Sequence, residues 1–393
     1  MRQVRVFVHG MGVVTAWGGA AEAAPEALWA ALAGGGTAIG PARTFDPTGM
    51  PCTTVAAIQG LEGAPDPRHP LAHAAAERAD PAGDGVLGVF VGAESGRTRF
   101  PLLAELGRRG LRDGRFDPET FLRTAGDLAG RVDPAVASPH ATAASLAARF
   151  GATGPVETFS QACASGLAAI IEGVRALRAG ECDRALVGGV GADADALMAS
   201  GFGKLGALSL AGVARPFDSA RDGFVIGEGA AFLHLSTTPS DVELVGVARG
   251  HEAHHLVQPD PSGRPAGRVM AAALADAGDP QVGGVVAHGT GTPPNDLGEG
   301  RAIAALLGPR VPVASVKGSV GHLIAGAGAL NVVVAVLALR AGHLPPTAGL
   351  RVLDPATGVH AAPRALPLLG PVVLTNAFAF GGALSSVVLR SAR

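Results

Sequence analysis

At 393 residues the chain has room for two domains or one large duplicated one, and 48% hydrophobic against 16% charged residues, with 58 glycines, fits an α/β enzyme with a large buried sheet. The net charge of −2, with no basic run, gives no reason to expect nucleic acid as a partner. Three cysteines without metal-ligand spacing (Cys52, Cys163, Cys182) point to reduced thiols, a cytoplasmic setting and no bound metal.

Residues 4–14 read as a strand, and the residues before it do not form the basic and apolar regions of a signal peptide. A helix is expected near Pro25–Leu32. From Gly34 to about Asp84 the Gly-, Pro- and Ala-rich chain predicts loops and short helices crossing the surface. Val86–Val91 reads as a buried strand. Residues 101–149 carry helical patterns broken by Pro118, Pro134 and Pro139, an excursion expected to cover one side of a pocket.

The next stretch is Phe159-Ser-Gln-Ala-Cys163-Ala-Ser-Gly166. A short strand, 154–159, turns directly into a helix whose apolar residues Leu167, Ile170, Ile171, Val174 and Leu177 share one face, closed by Gly180. Amides in the first turn of a helix lack intrahelical partners and carry the positive end of its dipole, so a thiol there is expected to ionise more easily. A buried core cysteine would give the same pattern. Arg184–Val190 is a further strand, and the polar loop Arg215–Gly229 reads as a scaffold of hydrogen bonds and salt bridges. Ala230–Leu235 and Val242–Val247 are strands joined by Thr238-Pro-Ser-Asp241, which places a boundary between residues 1–240 and 241–393.

His251-Glu-Ala-His-His255 matches the HExxH zinc string, but that string works only on a helix, and here it follows a strand and a glycine, with Pro259 and Pro261 close behind. Two later stretches resemble the cysteine segment in layout. Val285-Val-Ala-His288-Gly-Thr-Gly-Thr-Pro-Pro-Asn-Asp296 is a strand running into a polar loop. Val313-Ala-Ser-Val-Lys317-Gly-Ser-Val-Gly-His322 is a strand and a short turn before an apolar helix. Active sites in α/β folds gather at strand ends, so Cys163, His288 and His322 can meet in one place; either histidine could instead be an ordinary buried one, and Lys317 a structural charge. Leu323–Leu339 is apolar apart from Asn331 and lies at the short end of the roughly 17–25 residues that span a bilayer; an all-apolar helix in such a chain reads as a core helix. Leu177-Arg-Ala-Gly180 recurs 162 residues later as Leu339-Arg-Ala-Gly342, and Gly166 falls on Gly328, which suggests duplicated α/β halves.

Together these motifs resemble the β-ketoacyl-acyl-carrier-protein synthases, the elongating Cys-His-His condensing enzymes of the thiolase superfamily. The resemblance runs nearly end to end, loosely over 40–150, and rests on Ala162-Cys163-Ala-Ser-Gly166, Arg215-Pro-Phe-Asp218, Arg221-Asp-Gly-Phe224, Gly227-Glu-Gly-Ala230, His288–Asp296, Lys317 with Gly321-His322, and Phe378-Ala-Phe-Gly-Gly382. It implies a thiolase-like five-layer αβαβα fold from two halves. It further implies an acyl thioester on Cys163, an oxyanion hole from the backbone amides of Cys163 and Phe380, and Nε2–H donors from His288 and His322 for the malonyl thioester oxygen. Lys317 would orient His322. Phe202, Phe378, Phe380, Thr290 and Thr292 would bind or gate substrate.

The resemblance implies no cofactor beyond the phosphopantetheine arm of an acyl carrier protein, and a homodimer or a heterodimer with a chain-length-factor-like subunit. Three departures, Asn331 where the family has glutamate, Ala379 in place of glycine, and Ala383-Leu384 after Gly382, favour a type II polyketide or polyene enzyme over a housekeeping one. Asn331 is expected to leave Lys317 without a carboxylate partner, and Ala379 to stiffen the gating loop. A non-elongating acyltransferase, or a subunit inactive without its partner, are the alternative readings.

Overall fold

The computed structural model describes residues 3–18, 23–61, 64, 66–94, 100–131 and 138–392. Pro134, one of the predicted helix breaks, lies outside them. Among the described residues the main sheet takes five strands from the first part of the chain: β1 (Val6–Thr15), β2 (Leu87–Gly92), β3 (Val156–Phe159), β4 (Arg184–Ala192) and β5 (Glu228–Ser236). Five follow in the second: β6 (Val242–His251), β7 (Gly284–Val286), β8 (Val313–Ala314), β9 (Val372–Phe378) and β10 (Ala383–Ser391). They pair in the order β8-β7-β9-β10-β6-β1-β5-β4-β2-β3. Outward from the central β6–β1 contact the two wings repeat one plan, β1-β5-β4-β2-β3 matching β6-β10-β9-β7-β8. In each wing the inner two pairings are antiparallel and the outer two parallel.

The central contact is short, joining only Val6 to Leu244 and Phe7 to Glu243. Between the wings lie helices α6 (Ser165–Ala179) and α11 (Ala327–Ala341), each packed against strands of both. Outside one wing are α2 (Arg68–Ala79) and α5 (Ala141–Phe150), and outside the other α8 (Arg264–Asp276) with α9 (Pro293–Leu307) upon it. The result is the five-layer αβαβα arrangement. Strands covered on both faces are apolar throughout, as in Leu87-Gly-Val-Phe-Val-Gly92, where all six residues are buried.

The offset between the two Leu-Arg-Ala-Gly strings holds for the whole of the central pair. α6 and α11 begin and end 162 residues apart, and both stop at a left-handed glycine, Gly180 and Gly342, each with φ 74°. Each is preceded by a 3-10 turn, Ala162–Ala164 and Ile324–Gly326, opened by a non-glycine residue at φ 47° and 48°. The two helices touch near their N-termini, where a Cβ on Gly166 would lie 2.7 Å from the Ala325 carbonyl oxygen and one on Gly328 2.8 Å from the Leu167 nitrogen. Every residue of α11 from Ala327 to Leu339 is buried, so the stretch long and apolar enough to cross a membrane is an interior helix here.

Two expectations fail. Residues 34–84 are not only surface loops, because α2 packs on β1 and β5 with Leu71, Ala72, Ala75, Ala76 and Ala79 buried. Its inner face is almost all alanine, a strong helix former with little hydrophobic signal. Small residues also let it approach closely: a Cβ on Gly10 would lie 1.9 Å from the Ala79 carbonyl oxygen, and one on Gly246, in the matching strand, 2.1 Å from that of Ala273 in α8. Pro118, read as a helix break, opens α4 (Pro118–Leu128), behind Asp117, which caps it by accepting from the Thr120 amide at 2.7 Å. Between α3 (Phe100–Arg109) and α4 runs a small hairpin, and this excursion leaves Phe116 and Leu122 exposed.

Candidate active site

The cysteine turn is fixed by a side chain from its own helix. Ser165 Oγ accepts the Gln161 N–H at 2.8 Å and shares its proton between the Ala162 carbonyl (2.7 Å) and a Glu94 carboxylate oxygen (2.9 Å). Ala162 lies in the left-handed region, and Cys163 stands at the N-terminal end of α6, facing a cavity of about 350 Å³. The expected easy ionisation does not follow. Burial pushes the thiol up to about 12; the Lys317 charge acts against this, and the carboxylates of Glu94 and Asp193 add to it. The resting group is a neutral thiol.

His288 lies just beyond β7. Its N–H and that of Gly289 donate to the two carboxylate oxygens of Glu299 in α9, at 2.8 and 2.7 Å, which pins the loop. Lys317 opens the one-turn helix α10 (Lys317–Val320), and its Nζ donates to the His288 carbonyl and stands 3.4 Å from His288 Nδ1. Lys317 therefore orients His288, not His322 as the resemblance implied. His322 follows α10, and its Nδ1 accepts the Ile324 N–H at 3.2 Å. Burial first, then the Lys317 charge, holds both histidines well below their ordinary range, so both are neutral. An ammonium only donates and so does an amide N–H, so in each ring Nδ1 is the acceptor and Nε2 carries the proton. The rings meet edge to face with centroids 5.5 Å apart.

Cys163, His288, His322, Thr290, Thr292, Phe202, Phe378 and Phe380 all line the one cavity; Lys317 sits behind it, 2% exposed. Thr290 and Thr292 are joined by their hydroxyls at 2.8 Å. Phe202 packs against Phe224 and Phe380, and Phe224 in turn against the His322 ring. Neither Cys163 nor Phe380 donates its backbone N–H outside its own short turn among the described residues. The Phe380 turn is completed by Gly381 and Gly382 at φ 81° and 86°.

Lys317 is not without carboxylates. Burial lowers it to about 8, and Glu299, then Cys163 and Asp296, act in the opposite direction. Asn331 does other work: its Nδ2 donates to the carbonyls of Ala287 (3.2 Å) and Asn376 (3.1 Å), tying the ends of β7 and β9 together. Glu299 also accepts from Asn376 Nδ2 at 3.1 Å. The Arg215–Gly229 loop forms the expected scaffold. Asp296 accepts from the Phe217 and Gly291 amides, Arg221 pairs with Asp354 at 2.7 Å, and Asp218 accepts from the amides of Arg351 and Val352.

No described residue of 101–149 lines this cavity, contrary to expectation. Its mouth is formed instead by the segment after β6, including Glu252, His255, Leu256 and Val257. That segment holds the HExxH string as a strand end and a loop, not a helix. It is stitched to the Phe380 turn: Gly381 N–H donates to the Leu256 carbonyl at 2.8 Å and Glu252 N–H to that of Gly382 at 2.9 Å. Loop composition carries no signal for such a role, and the Glu299 brace is equally invisible in sequence.

The fold and the cavity together define an α/β protein of the thiolase-like class, with one thiol and two neutral histidines meeting at the cavity. Residues 67–239 match the family described as beta-ketoacyl synthase, N-terminal domain, and residues 242–351 the C-terminal domain. The chain belongs to the β-ketoacyl synthase family. It is 37% identical to a 3-oxoacyl-[acyl-carrier-protein] synthase 2 of Synechocystis over 60% of this chain and 61% of that one, and 36% identical to the Mycobacterium tuberculosis protein of the same name over 62% and 63%. The chain thus spans a little over three fifths of the length of these relatives. It is also 33% identical to a putative polyketide beta-ketoacyl synthase 1 of Streptomyces cyaneus over 98% of this chain and 97% of that one. Among solved structures, the ishigamide ketosynthase/chain length factor superposes with TM-score 0.85 at 26% identity, covering 100% of both chains. A ketosynthase in complex with its chain length factor from Xenorhabdus doucetiae superposes with TM-score 0.81 at 26% identity, over 99% and 98%.

Proposed function

We propose that this chain is an acyltransferase that condenses an acyl group held on Cys163 with a malonyl group held on an acyl carrier protein, releasing CO₂. The observation that carries this reading is the pair of neutral histidines presenting Nε2–H to the cavity that Cys163 faces. In the first step the Cys163 sulfur attacks the thioester carbonyl of the acyl donor. The bond to the carrier sulfur breaks, and the carrier thiol departs with the proton. The oxyanion formed in passing accepts from the amides of Cys163 and Phe380. Malonyl-carrier then loses CO₂, and the electron pair of the broken C–C bond becomes an enolate whose oxygen accepts from His288 and His322. Its carbon attacks the acyl carbonyl, Cys163 leaves as thiolate and recovers a proton from water, and a β-ketoacyl-carrier is released.

Lys317 holds His288 in the donor tautomer. Thr290 and Thr292 meet the phosphopantetheine arm near the mouth; Phe202, Phe378 and Phe380 line and gate the acyl site. No cofactor is required beyond that arm. Halves 1–240 and 241–393 divide the labour, thiol from the first and histidines from the second; the mirrored strand order supports that division. A dimer fits the open outer edge of β3, on which one wing ends, and the likeness to ketosynthases bound to chain length factors favours a heterodimer. That likeness and the nearly full-length match to the Streptomyces cyaneus protein favour a polyketide or polyene pathway; the three free cysteines are in keeping with a cytoplasmic setting.

The test is intact-protein mass spectrometry with acyl-carrier followed by malonyl-carrier, with Cys163→Ala as control. Acylation of the wild type, discharged as a β-ketoacyl-carrier two carbons longer, is the expected result. Acylation without an elongated product would sink the condensing role and leave a simple transferase.

A further inference from the structure

The turn that carries Cys163 has a hydroxyl–carboxylate brace, where in its twin the Ile324 N–H is held by the ring of His322 at the position matching Ser160. Glu94 lies two residues past the end of β2, as His288 lies two residues past the end of the matching strand β7. Its carboxylate accepts from Ser165 Oγ at 2.9 Å and from Ser160 Oγ at 3.0 Å, the two hydroxyls that flank the cysteine in sequence. Its own backbone is anchored, since Arg68, paired with Asp66, donates to the Glu94 carbonyl. In the second half the equivalent turn, with the same left-handed opening at Ile324, has Ala325 in place of Cys163 and Ala327 in place of Ser165. The backbone geometry therefore forms without a hydroxyl–carboxylate brace, and the brace is present where the thiol is.

We propose that Glu94 is a positioning residue for Cys163: through Ser165 and Ser160 its carboxylate holds the turn that aims the thiol into the cavity, and its charge adds to the restraint that burial places on that thiol. A carboxylate on this side of the sulfur disfavours a free thiolate and leaves a neutral thioester untouched, whereas Lys317 acts in the opposite sense. Glu94 thus adds to the burial that keeps Cys163 a thiol until an acyl donor arrives, protected from adventitious electrophiles. This rests on the reading of Cys163 as the reacting thiol.

The test is the rate of alkylation by iodoacetamide from pH 6 to 10, followed by intact mass and peptide mapping, with Cys163→Ala as the blank for Cys52 and Cys182. In that reaction a sulfur–carbon bond forms, iodide leaves and the thiol proton goes to solvent. Glu94→Gln, which keeps the size and removes the charge, is expected to shift the profile to lower pH and raise the rate near neutrality about three- to tenfold. Glu94→Asp, which keeps the charge, should return the profile toward wild type. A folded Glu94→Gln protein with the wild-type profile overturns the proposal. Should that variant not fold, Ser165→Ala carries the test: a Cys163 alkylation rate changed about threefold or more at fixed pH supports the brace, and an unchanged rate overturns it. Alkylation reads the thiol whether or not any acyl chain is elongated, so failure of condensation and failure of this proposal are separable.

Discussion

Replacing Lys317 with methionine separates what that residue does for the fold from what it does for the site. Its ammonium is fully interior and held at about 8, against an ordinary value of 10.5. A difference of that size corresponds to a cost of about 3 kcal/mol for carrying the charge folded, present in full below pH 8. Between pH 8 and 10.5 the folded protein gives up the proton while the unfolded chain keeps it, so this contribution makes stability rise with pH across that window. Activity should move the other way. Once Nζ is neutral it no longer dictates the tautomer of His288, and the rate should fall through an apparent midpoint near pH 8, to roughly a tenth by pH 9. The Cys163 thiol at about 12 titrates above this interval, and Glu228, pushed up to about 7 by burial, is largely ionised by pH 8, so the window from pH 8 upward belongs to Lys317. Lys317→Met should melt higher than wild type at pH 7, by about 2 kcal/mol after subtracting the lost bond to the His288 carbonyl, and condense far more slowly. Condensation rates and thermal unfolding, both followed from pH 7 to 9.5, decide the matter. A flat rate over that range, or a variant that melts lower, refutes the reasoning.

Three other outcomes are expected. His322→Ala should lower the condensation rate by 10²–10³, the equivalent of about 2.7–4 kcal/mol for one lost donor, and spare Cys163 acylation in a single-turnover mass assay. Gly166→Ala would set a methyl 2.7 Å from the Ala325 carbonyl oxygen; denaturant unfolding should show a loss of about 1–3 kcal/mol, since backbone on both sides must shift. Asn331→Leu removes the side-chain donor to the carbonyls of Ala287 and Asn376 in the core, and calorimetry should register a destabilisation of about 1–3 kcal/mol.

The chemistry-bearing residues were legible because each sits where a strand gives way to a helix or loop, and such junctions have strong local signatures. Cys163, His288 and His322 could be placed together before any coordinates. The duplication was legible from four residues, because the two central helices are under the same packing demand and end in the same left-handed glycine. What could not be read depends on through-space environment. The inner face of α2 is alanine, which signals helix but not burial. The acidity of Cys163 is decided by enclosure, which outweighs the favourable end of α6. The contact of Lys317 with His288, and not His322, depends on how a single helical turn folds back. Asn331, alone in an apolar helix, looked like the loss of a carboxylate; its amide instead joins two strand ends, and Glu299 and Asp296 supply the negative charge from another helix.

The paired turns at Ala162 and Ile324 make each molecule its own control. Substitutions around Cys163 must satisfy both folding and the reaction of the thiol, whereas those around Ala325 answer to folding and to the setting of His322, whose Nδ1 accepts the Ile324 N–H. Saturating positions 162, 163 and 165 alongside 324, 325 and 327, and scoring abundance and turnover separately, would divide tolerance into its two sources within one chain. Residues rejected at both members of a pair are those the crossing of the central helices cannot accept. Residues rejected only in the first half are excluded by chemistry.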